Sequence, residues 1–67
     1  ERINVNTAGY YDLMRLPGIG EKRAQAIVAW REEHGPFRSV DELVQVSGIG
    51  EKLLAGLRDY AAAGPVG

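Results

Sequence analysis

The chain has no cysteine among its 67 residues, and only one each of histidine, methionine, tryptophan and phenylalanine. The missing thiol excludes disulfides, thiolate zinc sites and thiol catalysis. It leaves the compartment open, because an unstapled domain folds on either side of a membrane. No apolar run approaches the ~18 residues of a membrane span, and no signal segment is visible. Positive charge is not in excess either: eight Lys and Arg face nine Asp and Glu, a formal net charge of −1, so nothing resembles a basic nucleic-acid tail. The chain begins at Glu1 without methionine and reads as a domain excised from a longer protein.

What the sequence does contain is a repeat. Leu16-Pro17-Gly18-Ile19-Gly20-Glu21-Lys22 returns thirty residues later as Val46-Ser47-Gly48-Ile49-Gly50-Glu51-Lys52, with five of the seven positions identical. The same offset matches Asp12 with Glu42, Leu13 with Leu43, Ile27 with Leu57 and Trp30 with Tyr60. Neither copy can bury its apolar face alone, since a chain of this size hides only about 60% of its extended surface on folding. The two copies are therefore expected to pack on each other as one domain over residues 1–67 with approximate twofold symmetry.

Apolar spacing sets the elements. Residues 1–8 carry Asn4, Asn6 and Thr7 between aliphatic positions and suit an extended lead-in. Short helices are expected at about 10–16 and 40–45, the first capped by Gly9 and stopped at Pro17, the second capped by a Ser39-x-x-Glu42 box. Ala24, Ile27 and Val28 mark the buried stripe of a long helix from Gly20 to His34, ended by Gly35-Pro36. A second long helix is expected from about Gly50 to Ala62, burying Leu54, Leu57 and Tyr60, followed by a frayed end at Gly64, Pro65 and Gly67. The expected core is Leu13, Leu16, Ile19, Ala24, Ile27, Val28, Phe37, Val40, Leu43, Val46, Ile49, Leu54 and Leu57. A Gly-Ile-Gly run between helices suits a tight hairpin whose isoleucine points into that core and whose glycine amides face outward. The helix that opens after it adds unpaired N–H groups and a positive dipole end, which favour a phosphate.

These residues carry a resemblance. Leu16 to Ala24 and the echo at Val46 to Leu54 resemble the helix-hairpin-helix (HhH) motif of DNA-binding proteins that do not read sequence, and the pair resembles the all-α tandem (HhH)₂ domain, with motifs at about 9–34 and 39–62. The lead-in Ile3-Asn4-Val5-Asn6-Thr7-Ala8 and the linker Arg31 to Val40 are similar to the C-terminal domain of the ComEA family of competence DNA receptors. The chain departs from the pattern at Gly9, where a serine cap is usual, and at Leu54, where Ala24 supplies a small residue in the first copy.

The resemblance implies double-stranded DNA as partner, bound through backbone phosphates. The site would be Gly18, Ile19, Gly20, Lys22 and Arg23 with Gly48, Ile49, Gly50, Lys52 and Leu53. Other DNA-uptake proteins would be further partners, with no direct membrane contact by this fragment and an extracytoplasmic location through a preceding anchor. The same module in a cytosolic repair or recombination protein would look alike, and a protein-interaction domain is the alternative from another class. No cofactor is expected, although such hairpins can hold a monovalent cation through three carbonyls, here those of Met14, Leu16 and Ile19 and of Val44, Val46 and Ile49.

Catalysis has no constellation. His34 at a helix C-terminus suits the dipole, Glu32-Glu33 and Asp41-Glu42 point different ways as solvated faces, and Gly35-Pro36 is followed by Phe37 instead of the aspartate that HhH glycosylases carry. Arg15, Arg38 and Arg58 read as solvated or acid-paired. Tyr10, Tyr11, Trp30 and Tyr60 could stack on single strands, but the repeat positions of Trp30 and Tyr60 favour the rim of the core.

Overall fold

The computed structural model describes residues 1–66. Along the chain run strand β1 (Ile3–Asn4), helix α1 (Tyr10–Leu13), helix α2 (Glu21–His34), a 3₁₀ helix (Val40–Gln45), helix α3 (Glu51–Leu57), a 3₁₀ turn (Arg58–Tyr60) and strand β2 (Ala61–Ala62). The helices make up the bulk of an all-α domain, and the strands form a two-stranded parallel pair with Ile3 opposite Ala61 and Asn4 opposite Ala62.

The repeat holds bond by bond. In the first copy the Leu16 N–H donates to the Leu13 carbonyl at 3.0 Å and the Ile19 N–H to the Leu16 carbonyl at 3.1 Å. In the second, Val46 and Ile49 do the same toward Leu43 and Val46, also at 3.0 and 3.1 Å. Between the copies lies one apolar cluster that takes in every expected core residue, with Val40 only half-buried. Val5 and Ala61 join it at 0% and 2% exposure, two members that periodicity did not single out.

Four local expectations are corrected. The first short helix ends at Leu13 with Met14 as its cap, because its last bonds tighten from i−4 to i−3 spacing at Arg15 and Leu16. Val40, Leu43 and Val46 recur every third residue, and a 3₁₀ helix, at three residues per turn, aligns them on one face. Ser39 makes no side-chain cap there, and Glu42 instead accepts the Arg38 N–H at 2.7 Å, one residue outside a capping box. The second long helix stops at Leu57 rather than Ala62. Gly56 weakens it, and Ala61 must turn inward to reach the core and pair with Ile3, a tertiary demand that overrides propensity. Tyr60 is consequently 56% exposed, unlike its repeat partner Trp30, which is half-buried and stacks on Phe37 and His34 with centroids 4.4 and 4.6 Å away.

The end of the chain is tied down, not frayed, through Gly64 and Pro65; Gly67 lies outside the described residues. Asn6 is the buried polar residue responsible. Its Nδ2 donates to the carbonyls of Phe37 (3.0 Å) and Gly64 (2.8 Å), while its Oδ1 accepts the Phe37 N–H at 2.7 Å. One side chain thus joins the lead-in, the linker and the C-terminal segment. Asn4 adds bonds to the Gly64 N–H and the Pro65 carbonyl, each at 3.1 Å.

Candidate functional site

The two hairpins adopt one geometry. Gly18 and Gly48 have φ of +80° and +89°, a left-handed region that costs a residue with a Cβ roughly 1–2 kcal/mol. Ile19 and Ile49, at 4% and 3% exposure, pin each turn into the core, and their N–H groups are spent on the Leu16 and Val46 carbonyls. Gly20 and Gly50 then serve as N-caps of α2 and α3 with φ of −95° and −96° and extended ψ, angles open to any residue. A Cβ at either would meet nothing within 4 Å. Their being glycine is therefore not a requirement of the fold. What glycine does there is leave the helix openings without a side-chain cap, since a serine or aspartate would claim the N–H groups two and three residues on, those of Lys22 and Arg23 or of Lys52 and Leu53.

Lys22 and Lys52 are exposed beside these openings, as are Glu21 and Glu51. Arg23, also exposed there, reaches both hairpins with its side chain. Its Nε–H donates to the Gly48 carbonyl at 2.8 Å and its Nη1 lies 3.4 Å from the Gly18 carbonyl, so the guanidinium spans both hairpins. Its repeat partner Leu53 is half-buried and lies over Gly18 in the mirrored sense. Among the other arginines, Arg58 pairs with Asp41 at 2.6 Å, Arg15 with Asp12 at 3.6 Å, and Arg31 donates to the Val5 carbonyl at 2.9 Å. His34 donates from Nδ1 to the Trp30 carbonyl at 3.1 Å, a helix-end bond. Among the described residues no group of three or more His, Asp and Glu gathers in metal-ligand geometry. In the hairpin turns the Leu16 and Val46 carbonyls each accept one N–H, which leaves each a second lone pair.

The two left-handed glycines are not equivalent to substitution. A Cβ on Gly18 would overlap Leu53 Cδ1, whereas on Gly48 it would sit 3.6 Å from Arg23 Nε, an ordinary contact. Gly48→Ala is expected to cost about 1–2 kcal/mol of stability from φ alone. Gly18→Ala carries the same φ cost plus that of turning the Leu53 side chain end aside, and a double-mutant cycle with Leu53→Ala reads that second part as the coupling. Urea denaturation measures Gly48→Ala, Gly18→Ala, Leu53→Ala and the Gly18/Leu53 double variant; a loss at Gly18 smaller than at Gly48 would contradict the overlap.

A small pseudo-twofold helical domain presenting two such hairpins defines a tandem HhH architecture. The chain belongs to the helix-hairpin-helix family, whose motif profile matches residues 1–61. It is 49% identical over 62 residues to the mouse endonuclease/exonuclease/phosphatase family domain-containing protein 1, covering 92% of this chain and 11% of that protein. It is 46% identical over 50 residues to ComE operon protein 1 of Bacillus subtilis, the ComEA relative, covering 75% of this chain and 24% of that protein. An uncharacterised protein of Haemophilus influenzae is 43% identical over 60 residues, 88% of this chain and 54% of its own length. The chain thus spans about a tenth to about half of the relatives it matches.

Proposed function

We propose that this domain binds double-stranded DNA without reading its sequence, each hairpin offering backbone N–H groups to the phosphates of one strand across the minor groove. The observation that carries the reading is the duplicated hairpin. A left-handed glycine, a core-anchored isoleucine, an uncapped glycine opening and an exposed lysine occur twice in matching conformation, in a chain that belongs to the HhH family. The site is formed by Gly18, Ile19, Gly20, Lys22 and Arg23 with Gly48, Ile49, Gly50, Lys52 and Leu53, the isoleucines anchoring each turn in the core with their own N–H groups bonded inside it, and Leu53 acting through its backbone N–H. Neutral amides reconcile DNA with a net charge of −1, because they add hydrogen bonds without needing a basic surface. No residue of the domain is asked to perform chemistry. A monovalent cation on the carbonyls of Met14, Leu16 and Ile19, or of Val44, Val46 and Ile49, would add a further bridge to a phosphate.

The similarity to ComE operon protein 1 supports capture of DNA for uptake, with the domain held outside the cytoplasm by a preceding anchor and working beside other uptake proteins. The second setting is a module of a larger cytosolic repair or recombination protein; what supports it is the similarity to a protein named for its endonuclease/exonuclease/phosphatase family domain, of which the matched segment is 11%. The sequence encoded upstream of Glu1 separates them: an apolar anchor fits the first and a further cytosolic domain the second.

Duplex binding between about 25 and 200 mM salt tests the mechanism. With Lys22 and Lys52 as the free cations of the site, about two phosphates are neutralised, and up to three if Arg23 contributes. The log–log slope is then expected between roughly −2 and −3, falling by about one in Lys22→Ala, with A·T-rich and mixed duplexes agreeing within a few-fold. A slope near −8, or a preference beyond about a hundredfold, would defeat the backbone mechanism. Absence of binding at low salt would leave a protein-interaction domain as the reading.

A further inference from the structure

We propose that the Arg23 side chain is a positioning group that fixes the span between the two hairpins and does not itself contact phosphate, the residue's backbone N–H staying in the site; this rests on the DNA-binding reading above. Positions 23 and 53 are repeat equivalents and both lie at the seam between the hairpins, each side chain covering the left-handed glycine of the opposite copy. At position 53 the contact is apolar. At position 23 it is a hydrogen bond of 2.8 Å from Nε to the Gly48 carbonyl, twenty-five residues away, with Nη1 at 3.4 Å from the Gly18 carbonyl of its own hairpin.

The chemistry of the side chain suits that role. A guanidinium is a planar fork whose donors keep fixed relative directions, so one group can hold two carbonyls at a set separation. It also covers two carbonyl oxygens that would otherwise present their negative ends beside an approaching phosphate. Lysine has the same charge as a mobile point and cannot hold both carbonyls in one geometry. The distance between two rigid hairpins decides whether both strands are gripped together. A small misplacement therefore weakens the joint grip without removing either individual contact.

Arg23→Lys and Arg23→Leu, the latter copying position 53, separate positioning from charge. Each is measured for duplex affinity across salt, for thermal unfolding and for the amide resonances of Gly48 and Ile49, with Lys22→Ala as the phosphate-contact reference. Both variants are expected to lose duplex affinity about three- to tenfold, the range of one net hydrogen bond. Both should keep the parent salt slope and shift the Gly48 and Ile49 amides. Arg23→Lys binding like the parent would overturn the proposal, as would a slope reduced by about one in Arg23→Leu alone or unmoved Gly48 and Ile49 resonances. If the parent binds no duplex even at low salt, the DNA reading fails by itself, and the Gly48 and Ile49 amides still decide whether Arg23 ties the hairpins together.

Discussion

Asn6→Ala is expected to lower the stability of the domain by about 3 kcal/mol or more and to bring it close to unfolding at room temperature. Its side chain makes three bonds, two to the backbone of Phe37 and one to Gly64, from a residue 8% exposed. Truncation leaves the Phe37 N–H and two carbonyls without partners, and each buried unpaired group costs about 1–3 kcal/mol. A chain of this length has roughly 3–10 kcal/mol in total, so the loss is a large share. The linker also loses its tether next to Phe37, whose ring fills the core beside Trp30. Asn4→Ala, which cuts one exposed and two part-buried bonds, should cost less, because water replaces part of what is lost. Thermal and urea unfolding followed by circular dichroism compare the two. An Asn6 variant as stable as the parent would mean that the three segments it joins are held elsewhere.

The largest effect on binding is expected from serine at both helix openings. Gly20→Ser and Gly50→Ser introduce a side chain into open space at extended angles, so the fold accepts them, and a serine N-cap adds a few tenths of a kcal/mol to helix stability. The same hydroxyl accepts the N–H of the second or third helical residue, which are the groups the proposed site offers to a phosphate. Amide bonds to a charged acceptor are worth about 1.5–3 kcal/mol, so each substitution is expected to weaken duplex binding about tenfold or more and the double variant about a hundredfold. Stability and affinity should therefore move in opposite directions. That separation makes these positions better probes than Gly18 or Gly48, where any larger side chain strains the turn itself. A double variant that binds like the parent while showing the expected gain in melting temperature would remove the helix openings from the site.

Sequence alone determined the duplication and most of its structural consequences. Identical Gly-Ile-Gly-Glu-Lys runs at an offset of thirty specify the two hairpins, their glycine chemistry and the exposed lysines, because local backbone demands and apolar spacing are written in adjacent residues. Most of the core was legible for the same reason, since its helical members recur on one face. Tertiary structure decided whatever depends on partners distant in sequence. Asn6 reads locally as a turn residue, and only the meeting of residues 6, 37 and 64 makes it a buried clasp. The early end of α3 and the exposure of Tyr60 come from a strand pair that joins Ile3 to Ala61 across the whole chain. Arg23 likewise reads as one more cation beside a hairpin until folding sets the Gly48 carbonyl within 2.8 Å of its Nε. A side chain's periodicity announces which way it points, but the group waiting there is supplied by another part of the chain.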